Sequence, residues 1–171
     1  MQRMPWLNRK FYFEIPPGWM PNVLERLHGT GLRIQQITNG ISDSHATFQP
    51  NDKWSIKQHI GHLTDLETLH TGRVSDFIFR EPILRPADLS NEKTNLAAHN
   101  KRSIDELVND FLTARKNLIW HLEKLDEDTQ QFASLHPRLK TQMRPVDMAY
   151  FTAEHDDHHL ASMRYIRNEL L

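Results

Sequence analysis

Apolar residues recur along the chain at intervals of three and four, a spacing that predicts four long helices and no strand. The first opens after Ile15-Pro16-Pro17-Gly18 and carries Val23, Leu24, Leu27, Leu32, Ile34 and Ile37. Pro21 suits its first turn, and Gly29 and Gly31 are the points where it would break or bend. The second follows Trp54, with Ser55 and Gln58 at capping-box spacing, runs through Ile60, Leu63, Val74 and Phe77, and stops before Pro82. The third starts near Ser103, capped with Glu106, and carries Leu107, Phe111, Ala114, Leu118, Leu122 and Leu125. Pro145 opens the fourth. Between helices two and three, the stretch from Glu81 to about His99 contains Pro82 and Pro86 and reads as a long loop able to form part of a lid. A second irregular connection runs from Asp126-Glu127-Asp128 through Pro137. Four amphipathic helices without an internal repeat predict an all-α four-helix bundle, with residues 1–171 as one domain large enough for a sizeable core.

The fourth helix carries the chemistry. Met148, Phe151, Thr152, His155, His159, Ser162, Ile166 and Leu170 form one inward stripe, so His155 and His159, one turn apart, share a face. Eleven histidines give about half an expected His-x-x-x-His pair by chance, so the pair alone is weak. Its place on an apolar stripe makes it stronger, because buried imidazoles need partners for their nitrogens. A shared cation supplies one, and backbone carbonyls are the alternative. His62, in the early turns of the second helix, is a third candidate. Three imidazoles from two helices leave a coordination position open, as in catalytic zinc sites.

Twenty-one basic residues against twenty-two acidic give a formal charge of -1, and no basic stretch alternates with aromatics, which argues against nucleic acid as a partner. No run approaches a membrane span, and the opening Met1 to Lys10 lacks the apolar core of a signal peptide. With no cysteine there is no disulfide, thiolate ligand or protein thiol nucleophile, and a cytoplasmic location is expected.

The run Trp54-Ser55-Ile56-Lys57-Gln58-His59-Ile60-Gly61-His62-Leu63-Thr64-Asp65-Leu66-Glu67 resembles the second-helix signature of the DinB/YfiT-like proteins. Glu154-His155-Asp156-Asp157-His158-His159-Leu160 resembles their fourth-helix signature, and Ile15 through Thr30 is similar to their first helix. The resemblance implies a four-helix bundle whose divalent metal is bound by His62, His155 and His159. It also implies a homodimer. Its implied chemistry is metal-dependent hydrolysis or S-transfer from a low-molecular-weight thiol such as bacillithiol or mycothiol to a small-molecule substrate. Zinc and nickel both suit imidazole. The alternative is a non-catalytic bundle that the metal stabilises, or a sensor that binds a small ligand.

Glu67 falls on the apolar stripe of helix two and has two readings: an acceptor behind a ligand or a general base, and a structural carboxylate paired with a basic residue on a neighbouring helix. His59 is one turn before His62 and is a substitute ligand, though the His-Leu-x-Asp-x-Glu phrase favours His62. His158 projects about a third of a turn from the pair, toward the pocket rim or solvent. Asp65, Glu154, Asp156 and Asp157 read as solvated charges. His28, His45, His70, His99, His121 and His136 show no partner pattern, and the methionines and tryptophans read as core.

Overall fold

The computed structural model describes residues 4–170, so Met1 to Arg3 of the opening segment, and Leu171, lie outside the described residues. Its long helices are α1 (Met20–Thr38), α2 (Ile56–Ile78), α4 (Ile104–Glu123) and α6 (Pro145–Leu170), with short helices α3 (Glu92–Leu96) and α5 (Glu127–Gln131) in the connections. Both expected capping boxes form: Ser55 accepts from the Gln58 amide and Ser103 from that of Glu106, and each partner side chain reaches back to the cap. No break occurs at the glycines of α1. A Cβ at Gly31 would collide with the side chain of Leu112, so that position serves close packing of α4 on α1. Leu32 departs from the expected apolar face and is 69% exposed.

Helix α1 packs mainly on α6 and α2 on α4, with smaller α1–α4 and α2–α6 seams. Helices consecutive in this set, α1 with α2 and α4 with α6, are thus diagonal, which demands long connections instead of tight turns. The connection from α2 to α4 and that from α4 to α6, the first and second crossovers, are more structured than the sequence pattern indicates. The second holds two antiparallel strands, β1 (Ser134–Leu135) and β2 (Gln142–Met143), paired Ser134 to Met143 and Leu135 to Gln142. Four strand residues are too few for a period of two to show. Leu135 also bonds to the first crossover, donating to the Pro82 carbonyl at 2.9 Å and accepting from the Leu84 amide at 3.0 Å.

The interior divides into two apolar clusters. One contains Leu27, Val74, Phe77, Leu118, Met148 and Ala153. The other contains Ile34, Ile60, Leu63, Phe111, Leu160 and Met163. Between them in the sequence of every long helix stands a buried polar residue: Thr30, Glu67, Arg115 and Asp156. Arg115 donates to Glu67 (Nη2–Oε1 2.6 Å), to Asp156 (Nη1–Oδ2 2.6 Å) and to the Leu27 carbonyl. Thr30 donates to Asp156 at 2.8 Å. Every one of these groups has a partner, which is the condition for burying them. Asp156 is wholly buried, so its expected solvated position is corrected.

The segment before α1 is held across α6. Asp147 accepts from the Arg144 amide at the helix start and from the amides of Glu14 (3.1 Å) and Ile15 (2.9 Å). Phe11, Phe13 and Trp6 then pack around Phe151, bringing Trp6 beside the fourth-helix histidines.

Candidate metal centre

His62 on α2 and His155 and His159 on α6 converge, each offering a nitrogen within 4.8 Å of the others'. His155 Nε2 and His159 Nε2 are 3.1 Å apart. The remaining nitrogens of two of these rings are engaged from behind. His62 Nδ1 lies 3.1 Å from Thr94 Oγ1, and Thr94 donates its proton to Asp65 Oδ2 at 3.0 Å. With its proton so committed, the hydroxyl accepts from His62 Nδ1–H, which leaves Nε2 as the free lone pair. His159 Nδ1 pairs with His59 Nδ1 at 2.8 Å, turning its own Nε2 to His155. His155 Nδ1 is buried with no hydrogen-bond partner.

The Thr94 contact depends on the first crossover. Ala98 adopts a positive φ of 51°, and His99 after it is buried with its ring against the α2 backbone at Gly61, where any Cβ would collide with it. From there His99 Nε2 donates to Asp65 Oδ2 at 2.9 Å. Asp65 is therefore no solvated charge: it anchors both Thr94 and His99, and its carboxyl pKa is lowered by those bonds against the opposing effect of burial. The long loop of the sequence reading is the element that sets the orientation of His62.

All three rings are held neutral. Burial pushes His62 down to about 4, the Asp65 charge pulling the other way and His70 and His99 adding to the fall. His155 and His159 are lowered well below the usual histidine range, first by burial and then by neighbouring histidines. Neutral imidazole is the ligating form. Two of the rings are buried and that of His155 is half-buried, and their facing lone pairs, poorly satisfied by one another, suit a shared cation, so the donor set fits a divalent ion with nitrogen preference.

Around the cluster lies an open pocket of about 1390 Å³. Trp54 packs on His62 at 4.6 Å and stacks on His159 at 6.0 Å. Trp6 meets His155 edge-on at 4.9 Å. These two tryptophans thus wall the histidines, a role that scattered sequence positions do not reveal. His158 lines the pocket, as do His70 and His136, both buried. Glu67 stands one layer below, its carboxylate bound to Arg115 and 3.9 Å from His70 Nδ1. Glu154 and Asp157 sit in ion pairs with Arg9, Arg26 and Arg33. Asp156 had a readable signal, because Thr152, Asp156 and His159 follow i, i+4, i+7 spacing.

The sequence pattern of the DinB superfamily matches residues 26–163, which include all three histidines. The chain belongs to the DinB superfamily. Among solved structures it is similar to YfiT from Bacillus subtilis, described as a probable metal-dependent hydrolase with an unusual four-helix bundle topology. That match has 16% identity and a TM-score of 0.80 over 95% of this chain and 93% of that one. It is also similar to a mycothiol-dependent maleylpyruvate isomerase, with 10% identity and a TM-score of 0.69 over 88% of this chain. This DinB chain spans only 61% of the isomerase. No curated protein matches the sequence at a significant level. Among the described residues no helix is long and apolar enough to cross a membrane.

Proposed function

We propose that His62, His155 and His159 bind one divalent cation, zinc or nickel, and that the chain is a single-domain metal-dependent enzyme acting on a small molecule. The observation carrying this reading is the convergence of three neutral imidazoles at the wall of an open pocket, with the back nitrogens of two of them already bonded. Three neutral nitrogen donors leave a divalent ion its positive charge, which lowers the pKa of a water or thiol brought to it. Thr94 and His59 fix the tautomer and direction of His62 and His159. Trp6 and Trp54 keep bulk water from the flanks of the site. Glu67 serves through its bond to Arg115 as a positioning residue for the bundle layer beneath the site, and not as the general base.

Hydrolysis is the first reading. Thiol transfer is the second, and because the sequence has no cysteine its sulfur nucleophile would come from a low-molecular-weight thiol. A homodimer, tested by light scattering, and a cytoplasmic location complete the reading. The experiment loads purified protein with zinc or nickel and screens activated esters and amides, and thiols with electrophiles. Metal-dependent turnover lost in His62→Ala with helical circular dichroism retained supports the enzyme. Turnover that survives both chelation and His62→Ala overturns the metal-centred mechanism, and no turnover in either screen favours the non-catalytic or sensor reading.

A further inference from the structure

The pocket extends well beyond the histidines. His62, Leu66, Leu69, His70 and Arg73 all line it, following one face of α2. From His62 to Arg73 is eleven residues, three turns and about 16 Å of helix rise. At the far end Arg73 is only 3% exposed, its Nε donates to the Arg85 carbonyl at 3.1 Å, and its Nη2 has no hydrogen-bond partner. An unpaired nitrogen on a buried guanidinium is costly, since each of its N–H groups has lost water.

The surrounding charge does not neutralise it. Asp76 is the acidic group that acts on Arg73, but its carboxylate is already bound to Arg85 (Nη2–Oδ1 2.6 Å). Arg138 lines the same pocket, and its charge, with that of Arg85, pushes Arg73 down to about 10, after the larger effect of burial. His136 lines the same pocket: burial, then the charges of Arg73 and Arg138, lower it to about 3, so it stays neutral and adds no charge. Of the charged side chains described as lining the pocket, Lys53, Arg73 and Arg138 are cationic against the single carboxylate of Asp88.

We infer that Arg73 and Arg138 form an oxyanion subsite, so that the substrate is a small molecule carrying a carboxylate or phosphate some three helical turns from its reacting end. A guanidinium presents paired donors that match either group. The inference rests on the proposed use of this pocket as a substrate site, but it concerns residues apart from the histidines and is tested without metal.

Metal-free protein, freed of chelator by dialysis, is titrated calorimetrically with glutarate, inorganic phosphate and the neutral analogue glutaramide. Saturable binding of glutarate or phosphate is expected, with none of glutaramide. The tighter of the two anions identifies a carboxylate-bearing or a phosphate-bearing substrate. Affinity should fall at least tenfold in Arg73→Gln and several-fold in Arg138→Gln, be partly kept in Arg73→Lys, and be unchanged in the His155→Ala/His159→Ala variant. Should Arg73→Gln fail to fold by circular dichroism, the half-buried Arg138 and the Lys variant carry the test. Wild-type affinity in both Arg→Gln variants, binding of neither anion, or binding lost with the histidines overturns the subsite. Those histidine variants separately report on the metal, so the two failures are distinguishable.

Discussion

His59 Nδ1 lies 2.8 Å from His159 Nδ1, so one imidazole of α2 holds an imidazole of α6 by its back nitrogen. For His159 to offer a lone pair at Nε2 it must carry its proton at Nδ1, and His59 is the acceptor of that proton. This gives His59 a task other than ligation.

His59→Ala should therefore keep a stoichiometry of one metal per chain while weakening affinity about 10- to 100-fold. Competition with a chromogenic chelator measures it. Loss of stoichiometry, matching that of His159→Ala, would instead make His59 a ligand.

Gly61 provides the seat for the His99 ring, and through Asp65 and Thr94 that ring bears on His62. Gly61→Ala improves intrinsic helix propensity by about 1 kcal/mol, yet it should lower metal affinity, as should Thr94→Val. A Gly61→Ala variant with undiminished affinity would show that the crossover does not orient His62.

Arg115 sits between two buried carboxylates, its own pKa raised by Asp156 and Glu67 in spite of burial. Arg115→Met leaves both acids uncompensated and should destabilise the fold by about 3–5 kcal/mol in urea unfolding. Replacing Glu67 and Asp156 by leucine in the same variant should recover most of that loss. No recovery would mean that packing, not charge, sets the cost.

Acid should destabilise the metal-free protein earlier than carboxylate titration alone predicts. His62, His136, His155 and His159 all have folded pKa values below the unfolded value near 6.5, about 4 for His62 and about 3 for His136. Between folded and unfolded values the unfolded chain binds more protons, so stability falls as pH drops through 6.5, by up to about 1.4 kcal/mol per pH unit for each group. Unfolding at pH 7.5 and pH 5 checks this, and His136→Gln should reduce the slope. A flat profile over that range would contradict it.

Much of the bundle is legible in the sequence because capping boxes and a period near 3.6 are local signals. Ser55–Gln58 and Ser103–Glu106 mark the helix starts correctly, and the stripe through His155 and His159 faces inward, buried at Met148, Phe151, Thr152, His159, Ser162 and Ile166 and half-buried at His155. What was not legible depends on neighbours distant in sequence. Thr94 and His99 matter only because the crossover folds back on α2, and Trp6 only because Asp147 ties the leading segment to α6. The spacing of Asp156 with Thr152 and His159 marks it as inward, but the arginine that lets it be buried, Arg115, comes from another helix. Glu67 lies on the apolar stripe under either of its readings, and the arginine it binds is 48 residues away.

The central claim is tested most directly by elemental analysis of protein expressed in medium supplemented with zinc and nickel. Wild type should carry one divalent ion per chain, and the His155→Ala/His159→Ala variant, folded by circular dichroism, should carry almost none. Equal metal content in the two proteins would contradict a site built from His62, His155 and His159.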